Sequence, residues 1–478
     1  MAAPGGARRA VVAGGGVAGL AAAAALARAG WAVTLVERRA EIREHVGAGI
    51  QMSPNACRCL AALGALDAVA MSAFQPRAAV LADGRSGRPV YRAALGEAAV
   101  ARWGAPYLHV HRAALVAALA AAAEAAGARI RPATAVTGWE TASGGVTVTL
   151  VPDAGAGAGD SERTGAGTGV GVGTADGPGT VAGTGADNVA RDGMGDGLGQ
   201  GAETAIDADL LLIAGGAGSR LADRLGDGGQ PRPPVRYTGQ TAWRATVPAA
   251  ALPPGTIPPD ATVWATPGRH AVTYWIDRGR LANLVAVEER TAWEGEGWSA
   301  PGDPAALRVA FADAARPLAA LIEAVEAPML WGLYDRPAPA RWFDGPVAAI
   351  GDACHPMLPF MAQGAAQALE DAAALARHVA APGPLDAALA AWSAERGPRA
   401  RRVQQVSRDN AGLFHRADGP GRVVAHAAIA TVSRLAPGLA AGRLDWLYGY
   451  DAVAGRPVRP FPRADTLTAP AAARTPAR

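Results

Sequence analysis

The sequence predicts an α/β protein with three parts: a discontinuous Rossmann-like domain, a β-sheet domain and a C-terminal helical segment. Three observations carry this. Residues 9–38 read as strand, glycine turn, helix and second strand; residues 236–289 hold short apolar runs separated by glycine turns; residues 385–416 form a long helical pattern with an arginine-rich face.

The first unit opens with the apolar strand Ala10-Val11-Val12-Ala13. Gly14, Gly16 and Gly19 follow in the spacing of a dinucleotide fingerprint. In that fingerprint the first glycine makes the sharp turn, the second lets a pyrophosphate approach the backbone, and the third packs the helix on the strand. The helix, Val17 to Ala29, offers free N–H groups and a partial positive charge at its start. Gly30 stops it, Trp31 to Val36 is the second strand, and Glu37 lies 18 residues after Gly19, where a carboxylate takes the hydroxyls of an adenosine ribose. Strand, helix, second strand and acid in order predict a nucleotide site.

Farther along, Ser53-Pro54 marks a helix entry and Gly64 its stop. Residues 76 to 93 alternate as a strand pair, a helix opens at His109-Val110-His111-Arg112 and ends at Gly127, and Val146 to Val151 alternates as a strand. Residues 152–205 hold 17 of the 61 glycines and almost no large apolar side chain, the composition of a disordered insertion in a hairpin. Asp209 to Ala214 resumes an apolar strand, 304 to 326 is helical, and the strand Val347 to Ile350 delivers Gly351-Asp352 ahead of a helix from about Ala365. Past Asp451 the chain is rich in Pro, Ala and Arg, a loose tail.

The 478 residues leave room for two or three domains. A net charge of +3, with no basic cluster set beside aromatics, gives no nucleic-acid face. The longest alanine-leucine run, Leu20 to Ala27, is too short for a membrane span, and no signal peptide precedes the first strand. Cys57, Cys59 and Cys354 suggest neither a disulfide framework nor a metal site, and a cytoplasmic location is the default.

A second informative stretch is Gly351-Asp352-Ala353-Cys354-His355-Pro356-Met357-Leu358-Pro359, followed by Gln363-Gly364-Ala365-Ala366-Gln367-Ala368-Leu369-Glu370-Asp371. Together with Gly47-Ala48-Gly49-Ile50-Gln51, Tyr237-Thr238-Gly239, Ala242-Trp243-Arg244, Leu333-Tyr334-Asp335-Arg336 and Asp445-Trp446-Leu447-Tyr448-Gly449-Tyr450-Asp451, it resembles the group A FAD-dependent aromatic monooxygenases. The likeness is to salicylate hydroxylase, 3-hydroxybenzoate 6-hydroxylase and 6-hydroxynicotinate monooxygenase, and it spans most of residues 8 to 451 outside the glycine-rich insertion.

The resemblance implies an FAD-binding domain of residues 1–75, 100–151, 206–228 and 340–382. It also implies a substrate domain of 76–99 and 229–339, a helical segment of 383–451 and a tail of 452–478. It implies that Gly14, Gly16 and Gly19 face the FAD pyrophosphate, that Glu37 takes the adenosine ribose with Arg38 beside it, and that Arg112 reaches the flavin. Asp352 would accept from the ribityl chain, and Gly364, Ala365 and Ala366 would set backbone N–H groups near the flavin pyrimidine ring. The implied reaction hydroxylates a small phenolic or aromatic acid with NADH or NADPH and O2 through a C4a-hydroperoxyflavin, in a monomer or homodimer. The catalytic residue stays open. Gln51, Gln240, Trp243, His270 and Tyr274 are the candidates to face the ring, in a pocket roofed by residues 236–276 and floored by Pro356 to Met361. His355 is read as part of a turn, with no catalytic role.

One departure stands out. Where the family carries an acid before a glycine, this chain has Gly215 before Gly216. That leaves open a non-catalytic flavin-binding role, while epoxidation, N-hydroxylation or oxidative decarboxylation on the same fold would share all the FAD motifs.

Overall fold

The computed structural model describes residues 7–42, 49–142, 144–152, 203–227, 230–295 and 297–458. One sheet has six strands, in the order Phe343–Asp344, Val347–Ala349, Leu210–Ile213, Arg9–Ala13, Ala32–Val36 and Arg129–Arg131. Neighbours run parallel except the pair 343–344 and 347–349. Parallel strands covered on both faces are apolar without alternation, and Leu210-Leu211-Leu212-Ile213 is fully buried. Val12 sits opposite Leu212 on one side and Leu35 on the other. The carboxyl ends of three strands, distant in sequence, therefore bring Gly14, Gly215 and Asp352 to one edge.

The predicted first helix runs Val17–Arg28, and its residues Ala21 to Ala24 are fully buried. It packs against the helices Arg112–Ala125 and Gly364–Ala380. Alanine favours helix and keeps the helix surface thin, which permits this close layering. The large anchors are few: Leu20 and Leu26 are fully buried, each worth about 1.5–3 kcal/mol.

A second sheet has eight strands, in the order Ser299–Pro301, Met329–Asp335, Arg236–Pro248, Leu281–Glu289, Arg269–Ile276, Ala261–Thr266, Ala78–Asp83 and Pro89–Ala94. One face sets Trp243, Trp264 and Leu284 against Leu307, Leu318 and Leu321. The other sets Ala242, Ala265 and Val287 against Leu358, Phe360 and Phe414. The helix expected over 304–326 is two, Pro304–Ala310 and Arg316–Glu323. Pro317 has no N–H to continue the first, so it starts the second.

Two expected boundaries move. The strand Thr204–Ala208 pairs antiparallel with Gly145–Pro152, so the hairpin returns before residue 205; residues 153–202, where the insertion was expected, lie outside the described residues. The tail does not loosen at 452: Tyr450 and Asp451 pair with Pro457 and Arg456, and Ala452 is buried. Residues 459–478 lie outside the described residues. No helix among the described residues is long and apolar enough to cross a membrane.

Candidate functional site

The chain leaves its first strand through Gly14 at φ +121°, a conformation L side chains rarely adopt. A Cβ on Gly14 would lie 2.7 Å from the Ala214 carbonyl oxygen, and one on Gly19 would lie 1.9 Å from that of Gly14. These two glycines hold the turn closed. Gly16 differs, since a Cβ there would meet nothing within 4 Å. The first helical hydrogen bond runs from Leu20 N–H to the Gly16 carbonyl, so the N–H groups of Val17, Ala18 and Gly19 precede the ladder. No side chain among the described residues caps them. Glu37 braces the loop from the neighbouring strand: Oε2 accepts from Gly15 N–H at 2.6 Å and Oε1 from Arg39 N–H at 2.9 Å. Arg38 beside it is exposed.

A second turn faces the first. Gly351, at φ +61°, passes so close to the first helix that a Cβ would lie 2.8 Å from the Ala18 Cβ. Asp352 follows, and then the helix Gly364–Ala380, whose first bond is Gln367 N–H to the Gln363 carbonyl at 2.8 Å. The N–H groups of Gly364, Ala365 and Ala366 precede that ladder without a side-chain cap.

Between the two turns and the eight-stranded sheet lies a cavity of about 300 Å³. Gly16, Arg112, Asp352, Gly364 and Ala365 line it on one side, and Gln51, His270 and Tyr274 on the other. Val272, Val285, Val287, Met357 and Phe360 complete an apolar wall. Gln51 is held by the Tyr107 hydroxyl, which donates to its Oε1 at 2.6 Å. Burial raises the Tyr274 phenol, against the pull of Arg244. Asp352 is exposed into the cavity, where the protein enclosing it raises its carboxyl against the pull of His355 and Arg112.

Other predicted site residues lie elsewhere. Ala366 is fully buried behind the wall, so only its backbone can serve the cavity. Gln240 is not part of the cavity wall, and its Oε1 is buried without a hydrogen-bond partner among the described residues. Trp243 is a correction. Strand alternation turns it away from Ala242 and Arg244, into the core against the helices of 304–323, where its Nε1–H donates to Glu288 Oε1 at 2.8 Å. Trp243→Phe is expected to lower stability by about 1–2 kcal/mol through the lost hydrogen bond and volume, with flavin affinity unchanged. Denaturant unfolding and flavin titration check both.

The sequence reading missed Arg244, the residue after Trp243. It lines the cavity, its guanidinium lies 5.0 Å from the Trp331 ring, and its Nε is buried without a hydrogen-bond partner among the described residues. Burial lowers it. The available signal was a lone arginine inside an apolar strand. His109 was missed too: it is fully buried 4.6 Å from the Tyr274 ring, with burial pushing its imidazole down to about 3. At Gly215 a Cβ would lie 2.9 Å from Ser219 Oγ, which caps the next helix by accepting from Ala222 N–H.

With this geometry in place, comparison with known proteins is direct. Residues 8–163 and 295–407 match the family model described as FAD binding domain. The chain is 33% identical over 449 residues to a 3-amino-4-hydroxybenzoate 2-monooxygenase of Streptomyces platensis, covering 93% of this chain and 96% of that one. It is 33% identical over 410 residues to a 6-hydroxynicotinate 3-monooxygenase of Bordetella bronchiseptica, covering 85% of this chain and 92% of that one. Its fold matches a salicylate hydroxylase substrate complex with a TM-score of 0.70 at 21% identity, covering 94% of this chain and 97% of that one. A match over more than half the chain, and relatives at this identity over nearly all of it, lead to one conclusion: the chain belongs to the FAD-dependent aromatic monooxygenases.

Proposed function

We propose that this protein hydroxylates a small phenolic aromatic acid, using bound FAD, O2 and NADH or NADPH. The observation that carries the reading is a single cavity onto which two uncapped helix starts and two guanidinium-bearing residues, Arg112 and Arg244, converge. FAD fits the residues present, since the Cβ direction of Gly16 is open and Asp352 reaches the same space. When bound, FAD supplies hydride acceptance and oxygen activation.

The chain's own residues set the conditions. The N–H groups of Val17 and Ala18, with Arg112, would hold the pyrophosphate side, Glu37 the ribose and Asp352 the ribityl hydroxyls. The free N–H groups at 364–366 favour negative charge developing beside them. Arg244 would hold the substrate carboxylate, the charge its buried Nε lacks. Val272, Val285, Val287 and Phe360 keep water from the ring.

Arg244→Met is expected to weaken binding of an aromatic acid about 100-fold, roughly 2.7 kcal/mol, with less than about threefold effect on the matching amide. Quenching of flavin fluorescence measures both. The activity itself is tested with purified, flavin-loaded protein. Oxidation of NADH and NADPH is followed with a panel that includes 3-amino-4-hydroxybenzoate and 6-hydroxynicotinate, and products are weighed by mass spectrometry. Stimulated oxidation with gain of one oxygen supports the reading. Yellow protein that oxidises neither nucleotide with any of these acids overturns it in favour of flavin binding alone.

A further inference from the structure

A line of three side chains runs from the cavity to the surface. His270 Nδ1 lies 2.7 Å from His415 Nε2, and His415 Nδ1 lies 3.0 Å from Glu289 Oε1. His270 is on the cavity-facing side of the strand Arg269–Ile276 and is 1% exposed. His415 directly follows the helix Leu385–Phe414, and its side chain is 3% exposed, against 59% for Glu289. The line begins in the cavity and ends in solvent.

Its chemistry has a direction. A carboxylate only accepts, so His415 carries its proton on Nδ1 and keeps a lone pair on Nε2. That lone pair must then accept from His270 Nδ1–H. The remaining nitrogen of His270, Nε2, is left as an acceptor on a ring that lines the cavity. The charged form is disfavoured in both rings: burial lowers His270, helped by His415, and burial lowers His415 against the pull of Glu289. The rings of Phe360 and Phe414, 5.0 and 5.1 Å from that of His270, flank it. The other titratable groups on the cavity wall are Arg112, Arg244, Tyr274 and Asp352.

We propose that His270, His415 and Glu289 form a proton path that draws the phenolic proton of the substrate out of the cavity. The step balances without any redox partner. The substrate O–H bond breaks and its proton bonds to His270 Nε2, while the Nδ1 proton of His270 passes to His415 Nε2. The Nδ1 proton of His415 passes to Glu289, which releases it to water. A phenolate remains in the cavity, with a ring carbon richer in electrons for oxygen transfer. The apolar wall of Val272, Val285, Val287 and Phe360 limits water on that side, and the path gives the proton a route that does not depend on it. The proposal rests on the phenolic-acid reading above for its substrate, and on geometry alone for its base.

The test separates the two. In ¹⁵N-histidine-labelled, flavin-loaded protein, spectra of His270→Gln and His415→Gln assign the two rings among the eight histidines. Both rings are expected neutral and protonated at Nδ1 near pH 7. Glu289→Gln, whose amide can also donate, should release His415 from that tautomer. Wild-type His270 protonated at Nε2 overturns the path whatever the substrate proves to be. The second readout is stopped-flow absorbance of 4-hydroxy-3-nitrobenzoate, whose phenolate is coloured. Its ionisation should slow at least about 10-fold in Glu289→Gln and His415→Gln, with affinity for 4-methoxy-3-nitrobenzoate unchanged. Equal ionisation rates in wild type and both variants also overturn the path. A probe that fails to bind wild type counts against the substrate class alone, and the tautomers then decide the path.

Discussion

Gly16→Val is expected to fold as the parent does and to bind FAD about 100-fold more weakly, roughly 2.7 kcal/mol. The backbone at Gly16 is extended, φ −77° and ψ −175°, which valine adopts without strain. The added side chain meets no protein atom near its Cβ, so stability should stay within about 0.5 kcal/mol. The space it takes is the space in front of the free N–H groups of Val17 to Gly19, where an anion must come within hydrogen-bond reach. Gly19→Ala provides the contrast. Its Cβ would sit 1.9 Å from the Gly14 carbonyl, so that variant should melt early as well as lose flavin. Flavin titration and thermal melting of the two proteins separate the two jobs of one fingerprint. Wild-type flavin affinity in Gly16→Val would show that the pyrophosphate does not approach this residue.

Arg396→Met is expected to cost about 3–5 kcal/mol at neutral pH, the largest stability loss foreseen for a single replacement here. Arg396 is fully buried in the helix Leu385–Phe414 and donates to Asp371 Oδ1 at 2.8 Å, Glu370 Oε2 at 2.6 Å and Gln367 Oε1 at 2.7 Å. Glu370 also receives Arg399 and Asn55, while Asp371 is joined to His355 at 2.6 Å and accepts from Gly351 N–H. This cluster ties the C-terminal helix to the helix Gly364–Ala380 and to the residue before Asp352. Without Arg396, two buried carboxylates lose a shared cation. The pH dependence follows. Burial alone would raise the Asp371 carboxyl, but His355 and Arg396 outweigh it and hold it low; Arg399 and Arg396 do the same for Glu370. Folded values below the unfolded ones mean stability present above about pH 4 and lost as pH falls through the folded values. The deficit of Arg396→Met should therefore be greatest near pH 7 and shrink on acidification. Urea unfolding along a pH series carried below pH 4 measures it, and a deficit that stays constant below pH 4 would contradict the ionic account.

His355 shows how such a cluster escapes a linear reading. In sequence it is a residue in a proline-rich turn; in the fold it has no exposure, lies against Trp342 and pairs with Asp371, sixteen residues on. The prolines around it mark the turn. Its partners needed the helix that follows.

The nucleotide-binding unit was legible because its signals are short-ranged. Gly14, Gly16, Gly19 and Glu37 fall within one strand-helix-strand unit, and each glycine answers to a local demand: a positive φ at Gly14, open space at Gly16 and a close backbone approach at Gly19. The face of the second sheet was not legible. Both of its sides are apolar, one against the helices of 304–323 and one against Leu358 and Phe360, so alternation does not tell Trp243 from Arg244. The first, a ring-facing candidate by sequence, lies in the core; the second lines the cavity. What the sequence determined by itself was the Rossmann-like unit, the β-rich region, the order of the helices and the family. What only the tertiary structure decided was which of Gln51, Arg112, Arg244, His270 and Asp352 share a cavity, and that His270 meets His415 across 145 positions of chain. Local backbone preference acts over a few residues. Convergence of side chains depends on strand register and on which face each strand buries, and packing fixes those only once the whole chain has folded.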